Sequence, residues 1–308
     1  MIRKSVFGSK SEKELFSNLH TRWGARFDLW PSLPFSQIID IAKLGTYISE
    51  KERDFLFKTS IDYTLCTKTG APILSIEFDG LGKGFSRKGE YILQQETSDP
   101  YRKLKLDTKL KIAQKENYPF YIVSFEESKT LDRDINLTIV DGIIGQVLAK
   151  KEFRESVETV YENNRDNIES LPSSAQHEYI QDLVLDAEHI SELKWDPIAE
   201  LAAKLEYEAF KRGVIKSYKT EYLNDPELPE GDPFQDITVL EGRINAIKNA
   251  VRVGCRIIVD TPRIAIIETV WLRNFEDTLI SPLHIATNIA ELLVSKKVLD
   301  LIGNPRAT

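Results

Sequence analysis

Three carboxylates lie close together in the sequence, on two segments with the pattern of β-strands. Asp62 falls within residues 59–66, where apolar side chains alternate, and Glu77 and Asp79 end the apolar segment 73–79. Because strand side chains repeat every second residue, Glu77 and Asp79 share a face, and pairing of the two segments brings Asp62 towards them. Such a cluster repels itself unless a cation binds, so the sequence predicts a site for a hard divalent ion, Mg²⁺ or Mn²⁺.

A basic helix is expected to follow these acidic strands. In residues 101–113, Leu106, Leu110 and Ala113 recur at helical spacing, so the lysines of the segment face away from an apolar stripe. A third strand is predicted at 120–125. The chain therefore runs strand, strand, helix, strand, with the carboxylates first and the lysines after them.

This order resembles the restriction-endonuclease-like, or PD-(D/E)xK, superfamily of metal-dependent nucleases over residues 10–126. Within it, the chain looks closest to the branch that includes the very-short-patch-repair-like endonucleases. On this resemblance Asp62 matches the strand-two aspartate, and Glu77 and Asp79 match a Glu-x-Asp pair at the end of strand three. Glu14 matches an acid of the first helix. The fold implied is an α/β restriction-endonuclease-like core, with a mixed central sheet flanked by helices.

The lysine of the superfamily motif is absent from its usual place, two residues after the glutamate, where this chain has Asp79. In the branch that the chain resembles, the following helix supplies this lysine, which makes Lys109 the first candidate and Lys105 the second. The implied activity is hydrolysis of DNA phosphodiester bonds, in defence against foreign DNA or in repair. A metal held by Asp62, Glu77 and Asp79 activates water, and the lysine stabilises the developing negative charge. Glu14 is expected to hold a metal-bound water or a second ion.

Basic residues cluster around the predicted site although the whole chain is acidic. The chain has 41 basic and 48 acidic residues and a net charge of −7, which argues against nucleic-acid binding over its entire surface. Residues 83–115, by contrast, contain nine basic and four acidic residues. DNA contacts are expected here, because phosphate charge must be neutralised where a strand is held. The residues expected to make them are Lys83, Arg87, Lys88, Arg102 and Lys103. The glycine-rich loop 80–89, which contains three of these, is explained equally well as an ordinary surface loop.

Composition indicates a cytoplasmic protein. The two cysteines, Cys66 and Cys255, lie far apart and form no Cys-x-x-Cys pair, so neither a zinc ribbon nor a disulfide framework is supported. No apolar signal segment opens the chain, and no run approaches the roughly 18 apolar residues of a membrane span. We therefore expect no membrane association.

A chain of 308 residues allows one large or two modest domains. A polar break at 170–174 predicts a nuclease domain at 1–168 and an α+β accessory domain at 169–308. A charged helix is expected at 150–166, just before this break. In the second half, helices are expected at 175–193, 197–212, 240–251 and 282–302, with a small β-hairpin formed by 255–259 and 264–271.

Other functions stay open. Asp182, Asp186 and His189, with His177 nearby, share a helix face that could bind a metal, although the solvated side of an amphipathic helix is the favoured interpretation. The chain is also consistent with a non-catalytic nucleic-acid-binding or assembly module that retains a nuclease fold. A third possibility is a regulatory protein that binds a protein partner through its acidic, helical C-terminal region. A homodimer would suit a nuclease that cuts both strands of a duplex.

Overall fold

The computed structural model describes residues 7–79, 102–125, 127–212, 220–224, 250–260, 263–273, 275 and 280–303. The chain divides into two compact units, Met1–Lys129 and Thr130–Thr308. Within the described residues, the first unit is a four-stranded mixed sheet flanked by helices, and the second is mostly helical with a three-stranded antiparallel sheet. The expected α/β class, with a helical C-terminal region, is confirmed at this level.

The first unit places its acidic strands in the middle of the sheet. Its helices are α1 (Lys10–Trp23), α2 (Glu50–Phe57) and α3 (Arg102–Lys115), and its strands are β1 (Asp28–Pro34), β2 (Ser60–Cys66), β3 (Pro72–Asp79) and β4 (Phe120–Ser124). The strand order is β1-β2-β3-β4. β1 and β3 are antiparallel to β2, whereas β4 is parallel to β3. A parallel neighbour requires a crossover connection, and α3 lies in the chain between β3 and β4.

Local sequence explains where the helices of this unit begin. Ser9 with Glu12 and Ser49 with Glu52 form capping boxes at the starts of α1 and α2. A cluster of buried apolar residues then joins α2 and α3 to the sheet. Its members include Phe35, Ile41, Leu56, Ile61, Leu106, Ile112, Ala113 and Ile122. This core holds α3 against the sheet, and therefore fixes where the lysines of α3 lie relative to the strands.

The second unit is built on long helices. Its helices are α4 (Ile139–Asn163), α5 (Arg165–Ser170), α6 (Ser173–Trp195), α7 (Pro197–Lys211) and α8 (Pro282–Gly303), and its strands are β5 (Thr220–Asn224), β6 (Ala250–Asp260) and β7 (Arg263–Arg273). Asp196 caps α7, and Pro197 occupies its first turn, as the sequence predicted. None of the helices in the described part of the chain is both long and apolar enough to cross a membrane.

Several expectations for the second half need correction. Residues 250 and 251, expected to end a helix, belong to β6, and residues 240–249 lie outside the described part of the chain. The hairpin of β6 and β7 gains an unexpected neighbour, β5. The compact units divide earlier than the boundary expected after residue 168. Ile168 is buried in α5, which packs with α4 and α6 inside the second unit.

Candidate functional site

Strand pairing brings two of the predicted carboxylates together. Tyr63 of β2 lies opposite Ile76 of β3, so the adjacent residues in this register are Asp62 and Glu77. The Asp62 carboxylate also accepts a hydrogen bond at 2.8 Å from the backbone N–H of Phe78 to its Oδ2 atom. The pairing of β2 with β3 thus places both acids side by side at one end of the paired stretch.

Lys109, the first-choice lysine, reaches these acids from α3. Its Nζ atom lies 2.7 Å from Glu77 Oε1 and donates to the backbone carbonyl of Ser60 at 2.8 Å. Only 2 % of Lys109 is exposed to solvent. Leu106 and Ile112 on the same helix are core residues, so their packing places the Lys109 ammonium group against the sheet. The result is a largely buried ion pair joining helix to strand.

The two carboxylates crowd one another electrostatically. Burial raises the pKa of Asp62 to about 8, and the negative charges of Glu77 and, to a smaller degree, Glu12 act in the same direction. The Phe78 N–H and Lys109 oppose the shift but do not outweigh it. In the absence of a bound cation, Asp62 is therefore mostly protonated at neutral pH.

The acid that α1 presents to this cluster is Glu12 rather than Glu14. The Glu12 carboxylate accepts from the N–H groups of Gly8 and Ser9, at 2.8 and 3.2 Å, and its charge acts on Asp62. Glu14 is exposed and lies 3.4 Å from Lys10. The structure therefore does not bring Glu14 to Asp62.

A signal for Glu12 was present in the sequence. Glu12 lies three and seven residues before Leu15 and Leu19, which are buried on α1, so it shares their helix stripe, whereas Glu14 does not. Tyr63 strengthens the link between α1 and β2, because its hydroxyl donates to the Glu12 carbonyl at 2.6 Å.

The remaining predicted residues fall into two groups. The Lys105 ammonium lies 5.5 Å from the centre of the Phe55 ring, on the side of α3 that faces α2. The backbone of Asp79 pairs with Ser124 of β4, but its side chain lies outside the described part of the chain. The same holds for the whole of Lys83, Arg87 and Lys88 and for the side chains of Arg102 and Lys103.

Asp62 and Glu77 offer the oxygen ligands that hard divalent ions prefer. Among the side chains that the structure describes, no three His, Cys, Asp or Glu residues are grouped so as to hold a metal ion. Asp62 and Glu77 alone therefore do not make up such a group, and Asp79 is the residue that the sequence predicts as a third ligand. On α6, the alternative set is exposed: His177, Asp182, Asp186 and His189.

Comparison of the chain with protein-family models, with curated proteins and with solved structures finds no match.

Proposed function

We propose that the first unit is a divalent-metal-dependent endonuclease of the PD-(D/E)xK type, which hydrolyses phosphodiester bonds of DNA. The observation that carries this proposal is the 2.7 Å contact between Lys109 and Glu77, beside Asp62. A lysine supplied by the helix after strand three is what the very-short-patch-repair-like branch implies for a chain that lacks the strand lysine. The acid-acid-lysine set of such a site is thus available from β2, β3 and α3.

The donor set fits a divalent cation. Asp62 and Glu77 would hold the ion, with Asp79 as the further ligand expected from the sequence. The raised pKa of Asp62 supports this assignment, because two crowded carboxylates gain most from a cation that neutralises both. When bound, Mg²⁺ or Mn²⁺ would neutralise phosphate charge and lower the pKa of a nearby water.

The protein groups would orient and stabilise the reacting phosphate. An ammonium group has three donors. Within the described residues Lys109 donates to Glu77 and Ser60, which leaves one donor for a phosphate oxygen. Because the group is buried, its charge acts more strongly on a transition state than a solvated lysine would. The Phe78 N–H keeps the Asp62 carboxylate fixed in position.

The alternative is a non-catalytic module that binds nucleic acid or assembles with other proteins. The 2 % exposure of Lys109 favours it, because an ion pair so well buried also serves simply to hold α3 on the sheet. Under this alternative the protein binds DNA or metal without cutting. Its cellular role would then not depend on cleavage.

Cleavage assays distinguish the two. The wild-type protein is incubated with plasmid or single-stranded DNA and Mg²⁺, Mn²⁺ or EDTA. We expect metal-dependent cutting, reduced by about a hundredfold or more in Asp62→Asn, Glu77→Gln and Lys109→Met, because each removes charge from the reacting centre. Asp54→Asn on α2 is the matched control, since Asp54 is exposed and the chemical change is the same. It should cut like the wild type.

Two results would contradict the nuclease proposal. Cutting that survives Asp62→Asn and Glu77→Gln would locate the chemistry elsewhere. DNA binding without cutting under either metal, with the variants still folded by circular dichroism, would favour the non-catalytic module.

A further inference from the structure

Among the described residues of the second unit, a helical hairpin is covered only incompletely by the rest of the fold. Glu152 of α4 accepts a hydrogen bond at 2.6 Å from Lys194, near the end of α6, whereas Tyr161 and Ile180 line one groove further along. The two helices therefore run antiparallel. We call residues 150–190, from the outer half of α4 through α5 to α6, the helical arm.

Apolar side chains of the arm are poorly covered. The buried residues of α4 all lie between Val140 and Ala149, and α6 buries only Ser191. In the arm itself, which the structure describes completely, Ile168 at the tip is the one buried apolar side chain. Tyr161 is 46 % exposed and Ile190 is 65 % exposed. Two packed helices leave one side of their apolar seam open, and a third element normally covers it.

The open seam has the shape of a groove. It is lined by apolar side chains from both helices and contains about 770 Å³ of open space. The apolar lining residues are Val157, Val160, Tyr161, Ile180, Leu183 and Val184. Ile190 lies seven residues after Leu183 and so extends the same helix edge. Glu158 and Glu162, one turn apart on α4, form part of the wall, and Arg165 is the basic residue among its lining side chains.

Charge restricts what can occupy this groove. The arm, residues 150–190, has four basic and ten acidic residues, so it carries a formal charge of −6 out of the −7 of the entire chain. The acidic residues are Glu152, Glu155, Glu158, Glu162, Asp166, Glu169, Glu178, Asp182, Asp186 and Glu188. The rest of the protein thus has a formal charge of only −1. A second copy of the arm or a nucleic acid would be repelled, whereas a cationic partner would be attracted.

We propose that the groove of the helical arm binds a basic amphipathic helix of a partner protein. The apolar face of that helix covers the seam, and its lysines or arginines lie against Glu158, Glu162 and the acids around them. Helix-in-groove recognition needs an open apolar seam of this kind, and complementary charge supplies its specificity. This proposal is independent of the nuclease chemistry of the first unit.

A pair of synthetic peptides tests the proposal on the full-length protein. Both carry leucines on one helix face, and the other face carries lysine in one peptide and glutamate in the other. Fluorescence anisotropy should show the lysine peptide binding about tenfold more tightly, or better, with affinity that falls as salt rises. The double variant Glu158→Lys/Glu162→Lys should lose this preference or reverse it.

A matched control separates the groove from the overall charge. Asp182→Lys/Asp186→Lys makes the same change of charge at the same spacing, on exposed α6 residues that do not line the groove. It should keep most of the preference for the lysine peptide. An equal loss in both double variants, or equal binding of both peptides, would overturn the groove proposal. A wild-type dimer in sedimentation that Glu158→Lys/Glu162→Lys abolishes would overturn it in favour of a second copy.

Discussion

Replacing Asp62 by asparagine is expected to stabilise the metal-free protein at neutral pH. The change keeps the shape of the side chain and an oxygen for the Phe78 N–H, but it removes a carboxyl whose charged form is disfavoured by burial and by Glu77. Such gains are typical of functional sites, where chemistry requires groups that folding alone would not select.

The size of the effect follows from the pKa of Asp62. Folding raises it from 3.8 to about 8, so the folded protein keeps a proton that the unfolded chain releases. The contribution of Asp62 to the stability of the wild type is therefore fullest below about pH 4 and falls as the pH rises towards 8. Roughly three pH units separate the unfolded pKa from pH 7, and across each of them the free energy of unfolding falls by about 1.4 kcal/mol. The Asp62→Asn variant would escape a penalty of up to about 4 kcal/mol, an upper limit because water entry and small side-chain movements lower it.

Urea unfolding in EDTA measures this difference. The free energies of unfolding of wild type and Asp62→Asn should nearly coincide at pH 4 and separate as the pH rises to 7, with the variant the more stable. Asp54→Asn, at an exposed position, should follow the wild type at every pH. A gap that does not depend on pH, or a variant less stable than wild type at pH 7, would refute the account of a crowded and buried Asp62.

Two further substitutions, one in each unit, test close packing in the core. Lys109→Met leaves Glu77 buried without its cation and should lower the free energy of unfolding by about 3–5 kcal/mol. Lys105→Met should lower it by about 1 kcal/mol or less. Equal losses in the two variants would show that Lys109 is not the buried partner of Glu77. Gly145→Ala would place a Cβ atom 2.6 Å from the Asp196 Cα atom. Thermal unfolding should show a loss of about 1–3 kcal/mol, and a raised Tm would contradict this close approach.

Local periodicity predicted most of the first unit correctly. Alternation in residues 59–66 and the apolar run that begins at residue 73 identified β2 and β3, and the apolar stripe through Leu106 identified α3. Both patterns depend only on neighbours in the chain, so they could be recognised without the fold. Lys109 was different, because its choice over Lys105 came from the family resemblance, and its position beside Glu77 depends on tertiary packing.

The misses share a dependence on distant parts of the chain. β1 was not foreseen because it contains Pro31 and Pro34, which only an edge strand tolerates. Ala250 and Val251 end a segment with a helical apolar pattern in the sequence, but in the structure they pair with Arg273 and Leu272 of β7. The first compact unit ends before α4 because the helices that pack against α4, namely α6, α7 and α8, all come later in the chain.

Because Lys109 lies on a helix, its distance from the strand carboxylates depends on residues that are not on those strands. Two groups on one strand, two residues apart, are held about 7 Å apart by the chain itself, whatever happens elsewhere in the protein. Here the distance from Lys109 to Glu77 depends on how Leu106 and Ile112 pack in the core. Substitutions at those apolar positions would thus move Lys109 relative to Glu77 as well as lower the free energy of unfolding.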